Sequence, residues 1–122
     1  MSLTNLLLAA LGGAFGSALR VLVNTFFPLE TRLPWATILI NIAGSFVIGW
    51  LMGRLGPLTA DNARWQFLLV SGLCGGFTTF SAFSWQTIDL LQKNHPFAAL
   101  ANVLLSVTLC LIATWLGWRL VR

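Results

Sequence analysis

The sequence predicts an all-α membrane protein, a single domain over residues 1–122 with four transmembrane helices, the third broken near its middle. Three observations lead there. Hydrophobic residues make up 57% of the chain and charged residues 8%, too little polar surface for a soluble domain of 122 residues. The apolar residues fall into four stretches, each near the ~20 residues a helix needs to cross about 30 Å of hydrocarbon. Inside the third stretch, Gly75-Gly76 is followed by Thr78-Thr79, which is poor helix material where lipid otherwise demands helix.

The spans are expected at residues 3–27, 34–54, 64–91 and 96–120. Pro28, Pro34, Gly56-Pro57 and Asn94-His95-Pro96 interrupt the apolar runs and mark the loops. Such short loops make neighbouring helices antiparallel. Trp35, Trp50, Trp65, Trp85, Trp115 and Trp118 lie mostly toward span ends, as an interfacial aromatic belt requires. The N-terminal run has no basic flank and no small-residue cleavage site, so a signal peptide is not expected.

In the first span Gly12, Gly16 and Arg20 share a face, and the glycines suit close helix packing. Arg20 is the one basic residue well inside a run, roughly 26 Å along the helix from Leu3 at a rise of 1.5 Å per residue. It reads either as a snorkelling anchor or as a fixed positive charge at the mouth of an aqueous cavity. The second span carries Thr37, Asn41 and Ser45 at four-residue spacing, one polar stripe on one face, beside a small-residue row of Ser45, Gly49 and Gly53. The fourth carries Asn102, Ser106, Cys110 and Thr114 at the same spacing. Two such stripes fit a shared wet path, and equally the hydrogen bonds that join helices in bundles.

The third span holds the most informative segment, Gly72 to Ser84. A break at Gly75–Thr79 frees carbonyl oxygens, which are ligands for a small hard cation. It also exposes the N-terminal end of a second half-helix, which favours an anion. Phe80 and Phe83, three residues apart, project from similar faces just beyond it. Their electropositive ring edges suit a narrow anion path, although a phenylalanine pair in a membrane helix is more often plain packing.

Several functions are excluded by what the chain lacks. Its net charge of +4 comes from single, dispersed basic residues, which read as membrane-flanking anchors rather than a nucleic-acid surface. Cys74 and Cys110 both fall inside apolar runs and suggest neither a disulfide framework nor a metal cluster. No nucleophile–base set or phosphate-binding glycine loop can be assembled, so an enzyme is not expected. Arg54, Arg64, Arg119 and Arg122 fall on one side of the membrane, and Arg20, Arg32 and Lys93 on the other. Four against three chooses no orientation, which fits copies inserted both ways and paired as an antiparallel dimer. Leaving out Arg20 as intramembrane strengthens the opposite reading, a weak bias that still fixes one orientation.

Taken together, Gly12-Gly13-Ala14-Phe15-Gly16-Ser17-Ala18-Leu19-Arg20, Asn41-Ile42-Ala43-Gly44-Ser45-Phe46 and Gly72 through Ser84 resemble the Fluc (CrcB) fluoride channels, over essentially the whole chain. The resemblance implies a fluoride-selective channel, passive efflux of cytoplasmic fluoride, and a multi-pass location in the cell inner (plasma) membrane. It implies an antiparallel dual-topology homodimer with pores lined by both subunits, so the partners are fluoride, the lipid bilayer and a second copy of the chain, not nucleic acid. By the same resemblance a structural sodium ion sits at the dimer interface on the backbone carbonyls of Gly75 and Thr78. Phe80 and Phe83 match the pore phenylalanines, Asn41 the pore asparagine and Arg20 the vestibule arginine. Thr37, Ser106, Cys110 and Thr114 match a polar track. The chain departs from the family pattern at Cys110, where a hydroxyl is expected and a thiol donates more weakly, and at Ala82 between the phenylalanines. The alternative is a small dual-topology proton-coupled drug exporter, which relies on a carboxylate deep in the first span; this chain has none there. A non-conducting structural subunit would leave the broken helix unexplained.

Overall fold

The computed structural model describes residues 2–28 and 31–122. The elements are α1 (Leu3–Asn24), α2 (Trp35–Leu55), α3 (63–77), α4 (Phe80–Gln92) and α5 (Pro96–Arg119), with no strand among the described residues. α3 and α4 run in succession over Ala63–Gln92, so four helical stretches are long and apolar enough to cross a membrane.

Local chemistry sets the ends. Ser2 caps α1, its Oγ accepting from the Asn5 N–H at 3.2 Å. α1 stops at Asn24 rather than at Phe27, because the chain tightens into i−3 bonds ahead of Pro28: Thr25 N–H donates to Leu22 O and Phe26 N–H to Val23 O, both at 3.1 Å. Gly56, at φ +67°, ends α2 in a conformation that costs a side-chain-bearing residue strain. Pro96 opens α5 in the first turn, where its missing N–H has no intrahelical partner to lose. Between α2 and α3, Asn62 Nδ2 donates to Leu55 O at 2.7 Å and to Pro57 O at 2.9 Å.

The bundle is two tightly packed pairs. α1 lies along α3, α2 lies along α5, and α4 packs against α5. Glycine makes both main seams possible. A Cβ at Gly12 would run into Leu68 O, and one at Gly16 into Leu73 O and, at 2.8 Å, Phe77 N. Across the other seam, Gly49 faces the Thr114 carbonyl and Gly117 the Phe46 carbonyl just as closely. Three cation–aromatic pairs gather at one end of the α2–α5 pair: Arg54 over Trp50 at 5.5 Å, Arg119 over Trp115 at 6.0 Å and Arg122 over Trp118 at 4.6 Å. Trp85 stands midway along α4 with its side chain exposed.

The interruption is narrower than Gly75–Thr79. Gly75, Gly76 and Phe77 stay helical, and only Thr78 (φ −77°, ψ 158°) and Thr79 (φ −150°, ψ 106°) are extended. β-Branched threonine is at ease there. Gly76 serves packing instead of torsional freedom, since a Cβ on it would strike the Gly13 carbonyl. Upstream, Gln66–Cys74 is wound as a π-helix, a feature no residue pattern announced.

The seam predicts unequal glycines. Gly16→Ala is expected to lower stability in detergent by about 1–3 kcal/mol, the usual cost of overpacking. Gly13→Ala, whose Cβ would meet only Gly72 O at 3.9 Å, is expected to be tolerated. Thermal unfolding of the two purified variants checks this.

Candidate functional site

The break is held open by α2. Asn41 faces Thr79 with its whole amide: Oδ1 accepts the Thr79 N–H at 2.7 Å and Nδ2 donates to the Thr79 carbonyl at 3.1 Å. Both backbone groups of Thr79 are thereby satisfied by one side chain. One turn on, Gly44 leaves the space that Thr78 Cγ2 fills; a Cβ there would overlap it. The Thr78 hydroxyl donates to Cys74 O at 2.9 Å, alongside the Thr78 N–H at 3.0 Å, so α3 ends on a doubly occupied carbonyl. Thr79 then starts α4 as its N-cap, with Oγ1 accepting from Ala82 N–H at 3.1 Å.

Two cavities lie against this point, and Thr79 lines both. The outer one, a vestibule of about 680 Å³, is lined by Arg20, Asn24, Thr37, Gln86 and the loop residues Arg32 and His95, among others. Lys93 at its rim is paired with Asp89 at 2.6 Å. Arg20 is half-buried, and its Nε has no hydrogen-bond partner among the described residues. That orphaned donor fits a fixed charge at a cavity wall better than a headgroup anchor. The inner cavity, about 410 Å³, is lined by Asn41, Phe80, Phe83, Ser106 and Cys110, together with Gly75 and Thr78.

The phenylalanine rings sit 5.3 Å apart, tilted by 48°. Phe83 is buried, whereas Phe80 is 77% exposed on the single chain. Both have their backbone carbonyls tied down from one turn later, by Ser84 Oγ on Phe80 O at 2.9 Å and Thr87 Oγ1 on Phe83 O at 2.8 Å. Ser106 is buried, and Cys110 half-buried, at the cavity wall. Thr114 lines neither cavity. Its hydroxyl donates to Cys110 O within α5 at 3.0 Å, and its carbonyl lies against Gly49 at the α2–α5 seam.

The carbonyls of Gly75 and Thr78 accept no hydrogen bond among the described residues, because Thr79 N–H has turned to Asn41 and Ala82 N–H to Thr79 Oγ1. Two bare carbonyls beside a cavity are hard oxygen donors, the set a small monovalent cation takes.

Three residues of the site escaped the sequence reading. Thr79 and Gly44 have no signal apart from the break itself. Gln86 had one: Ala82, Gln86, Asp89 and Lys93 follow helical spacing along α4, and all face the vestibule. The Gln86 Oε1 is buried without a partner among the described residues.

The model of the family described as CrcB-like protein, Camphor Resistance (CrcB), matches residues 7–118. Among similar curated proteins is one of Methylobacterium radiotolerans, 43% identical across 96% of this chain and 84% of its own length. One from Flavobacterium psychrophilum is 46% identical over 88% of this chain and 89% of its own length. One from Shewanella frigidimarina is 42% identical over 98% and 97%. All three are named fluoride-specific ion channel FluC.

The clasp predicts a local failure. Asn41→Leu leaves Thr79 N–H and C=O unpaired at membrane depth, at about 1–3 kcal/mol for each buried group. Hydrogen exchange of the Thr79 amide is expected to accelerate while amides in the middle of α2 and α5 stay protected. Uniform acceleration would mean that Asn41 supports the whole bundle and not the break.

Proposed function

The chain belongs to the CrcB family, and on that premise we propose that it is a fluoride-selective channel that lowers cytoplasmic fluoride by passive efflux across the cell inner (plasma) membrane. The observation that carries the reading is that Thr79 is the wall common to two cavities, a vestibule lined by Arg20 and an inner cavity lined by Phe80, Phe83 and the Asn41 amide. Hydrogen fluoride crosses lipid as the neutral acid and dissociates inside, so an open anion path is enough to discharge it and no energy coupling is needed. Arg20 concentrates anions at the entrance. Asn41, with one amide hydrogen left after its two bonds to Thr79, and the hydroxyls and thiol of the inner wall replace part of the ion's water. The ring edges of Phe80 and Phe83 then hold the ion weakly enough to release it. Chloride, larger and a poorer hydrogen-bond acceptor, is rejected at the narrow point.

The working unit we propose is an antiparallel homodimer. Irregular backbone does not face lipid, yet Gly75 and Phe80 lie exposed on the single chain beside the break. A second copy laid over this face would shield it and bring Phe80 into a pore. The same pairing would set the Gly75 and Thr78 carbonyls of both copies around one sodium ion, which would tie the two breaks together and add positive field. The proton-coupled exporter is not favoured, since α1 carries no carboxylate and the similar proteins are named as channels.

Proteoliposomes loaded with fluoride and read by an ion-selective electrode test the reading. Rapid fluoride efflux with chloride retained is expected; no efflux, or chloride leaving at a comparable rate, would sink it. Phe80→Ile is expected to suppress throughput while the dimer still elutes intact, and unchanged flux would remove Phe80 from the path. Replacing sodium on both sides by a large organic cation is expected to reduce flux. If flux were indifferent to sodium, the carbonyl site would have no part in function.

A further inference from the structure

Ser106 faces the inner cavity, but its proton is already committed. Its Oγ donates to Asn102 Oδ1 at 3.3 Å. The direction of that bond is forced from the other end. Thr87 Oγ1 spends its one hydrogen on Phe83 O at 2.8 Å, so toward Asn102 it can only accept. Asn102 Nδ2 therefore faces Thr87, at 2.9 Å, and Oδ1 faces Ser106. An amide oxygen cannot donate, which leaves Ser106 as the donor. Asn102 is 1% exposed, so no water competes for its oxygen.

We propose that Asn102 is a positioning residue that sets how strongly Ser106 holds a passing anion, by competing with that anion for the single Ser106 proton. The proposal rests on the reading of the inner cavity as an anion path. The hydroxyl can point at Oδ1 or at an anion in the cavity, not at both. At 3.3 Å the resting bond is long for O–H···O, so the proton swings away readily. Each time it does, a fully buried amide oxygen loses its donor, and that loss is subtracted from the anion's hold. The well at Ser106 is shallow by construction, as rapid passage requires. The same chain of bonds ends on the Phe83 carbonyl, so the amide that tunes Ser106 is oriented by the turn that carries a pore ring.

The test is fluoride current against fluoride concentration for the wild-type protein, Asn102→Leu, Ser106→Ala and the double variant, each checked for assembly by size-exclusion chromatography. Releasing the Ser106 proton is expected to lower the half-saturating fluoride concentration of Asn102→Leu roughly fivefold, the worth of one neutral hydrogen bond. The shift is expected to vanish in the Ser106→Ala background. Thr87→Val, nearly isosteric, removes the acceptor that fixes the amide and lets it turn over. It is expected to shift half-saturation in the same direction, and it serves if the leucine variant does not assemble. A conducting wild type with no shift in either variant overturns the proposal alone. So does a shift that persists without the Ser106 hydroxyl, since that would be packing. A wild type that carries no fluoride overturns this proposal together with the channel reading.

Discussion

Everything at the centre of this molecule depends on one side-chain amide satisfying one residue's backbone. A membrane helix leaves an N–H or a C=O bare only where protein or a cavity meets it, because lipid offers neither donor nor acceptor. Asn41 supplies both to Thr79, and with those bonds made the chain can extend for two residues and restart as α4. The consequences follow in sequence. Thr79 N–H no longer caps Gly75 O, so that carbonyl is bare. α4 begins in mid-bundle, which places Phe80 and Phe83 on its first turn. Thr79 itself becomes the wall common to vestibule and inner cavity.

The clasp works only because α2 is held at a fixed distance from the break. Gly44 lets Thr78 approach, and on the far side of α2 Gly49 and Gly117 bring α5 into backbone contact. On the other flank, Gly12 and Gly16 do the same between α1 and α3. Two rigid pairs therefore bracket a segment that is itself irregular. A close-packed seam transmits position well, since backbone against backbone has no rotamers to absorb a shift. This is how a chain of small, mostly apolar helices can fix a polar site to within a hydrogen bond.

The four spans were legible because hydropathy and length are strong signals in lipid, and both ends of α2 and the start of α5 fall where prolines and a glycine mark them. The break was legible as a region but not as a place. Helix propensity pointed at Gly75-Gly76, yet those glycines stay helical and serve the seam with Gly13. The residues that actually leave the helix are threonines, because what decides is the partner across the gap and not the local preference. The pairing of Asn41 with Thr79, 38 residues apart, could not be read from spacing on either helix. Gln86 is obscured for a different reason: the polar stripe on α4 is diluted by Ala82 and Leu90.

Periodic polar stripes overstate how wet a helix is, and the hydroxyls here show why. Thr78 bonds Cys74 O, Ser84 bonds Phe80 O, Thr87 bonds Phe83 O and Thr114 bonds Cys110 O, each to the carbonyl one turn back. A hydroxyl has a single proton, so each of these groups faces any neighbour as an acceptor only. An anion needs donors. Subtracting the committed hydroxyls from the sequence's candidates leaves the Arg20 guanidinium, the Thr37 and Ser45 hydroxyls, the second amide hydrogen of Asn41, the Cys110 thiol and the loosely held proton of Ser106. Thr114 thus belongs to the packing of α5 on α2, while Ser106, at the same spacing on the same face, opens onto the cavity. On the proposed channel reading, these donors replace only part of an anion's water shell, and the edges of Phe80 and Phe83 would make up the difference. On that reading selectivity would follow from scarcity: only an ion that forms strong bonds to each remaining donor could leave its water behind.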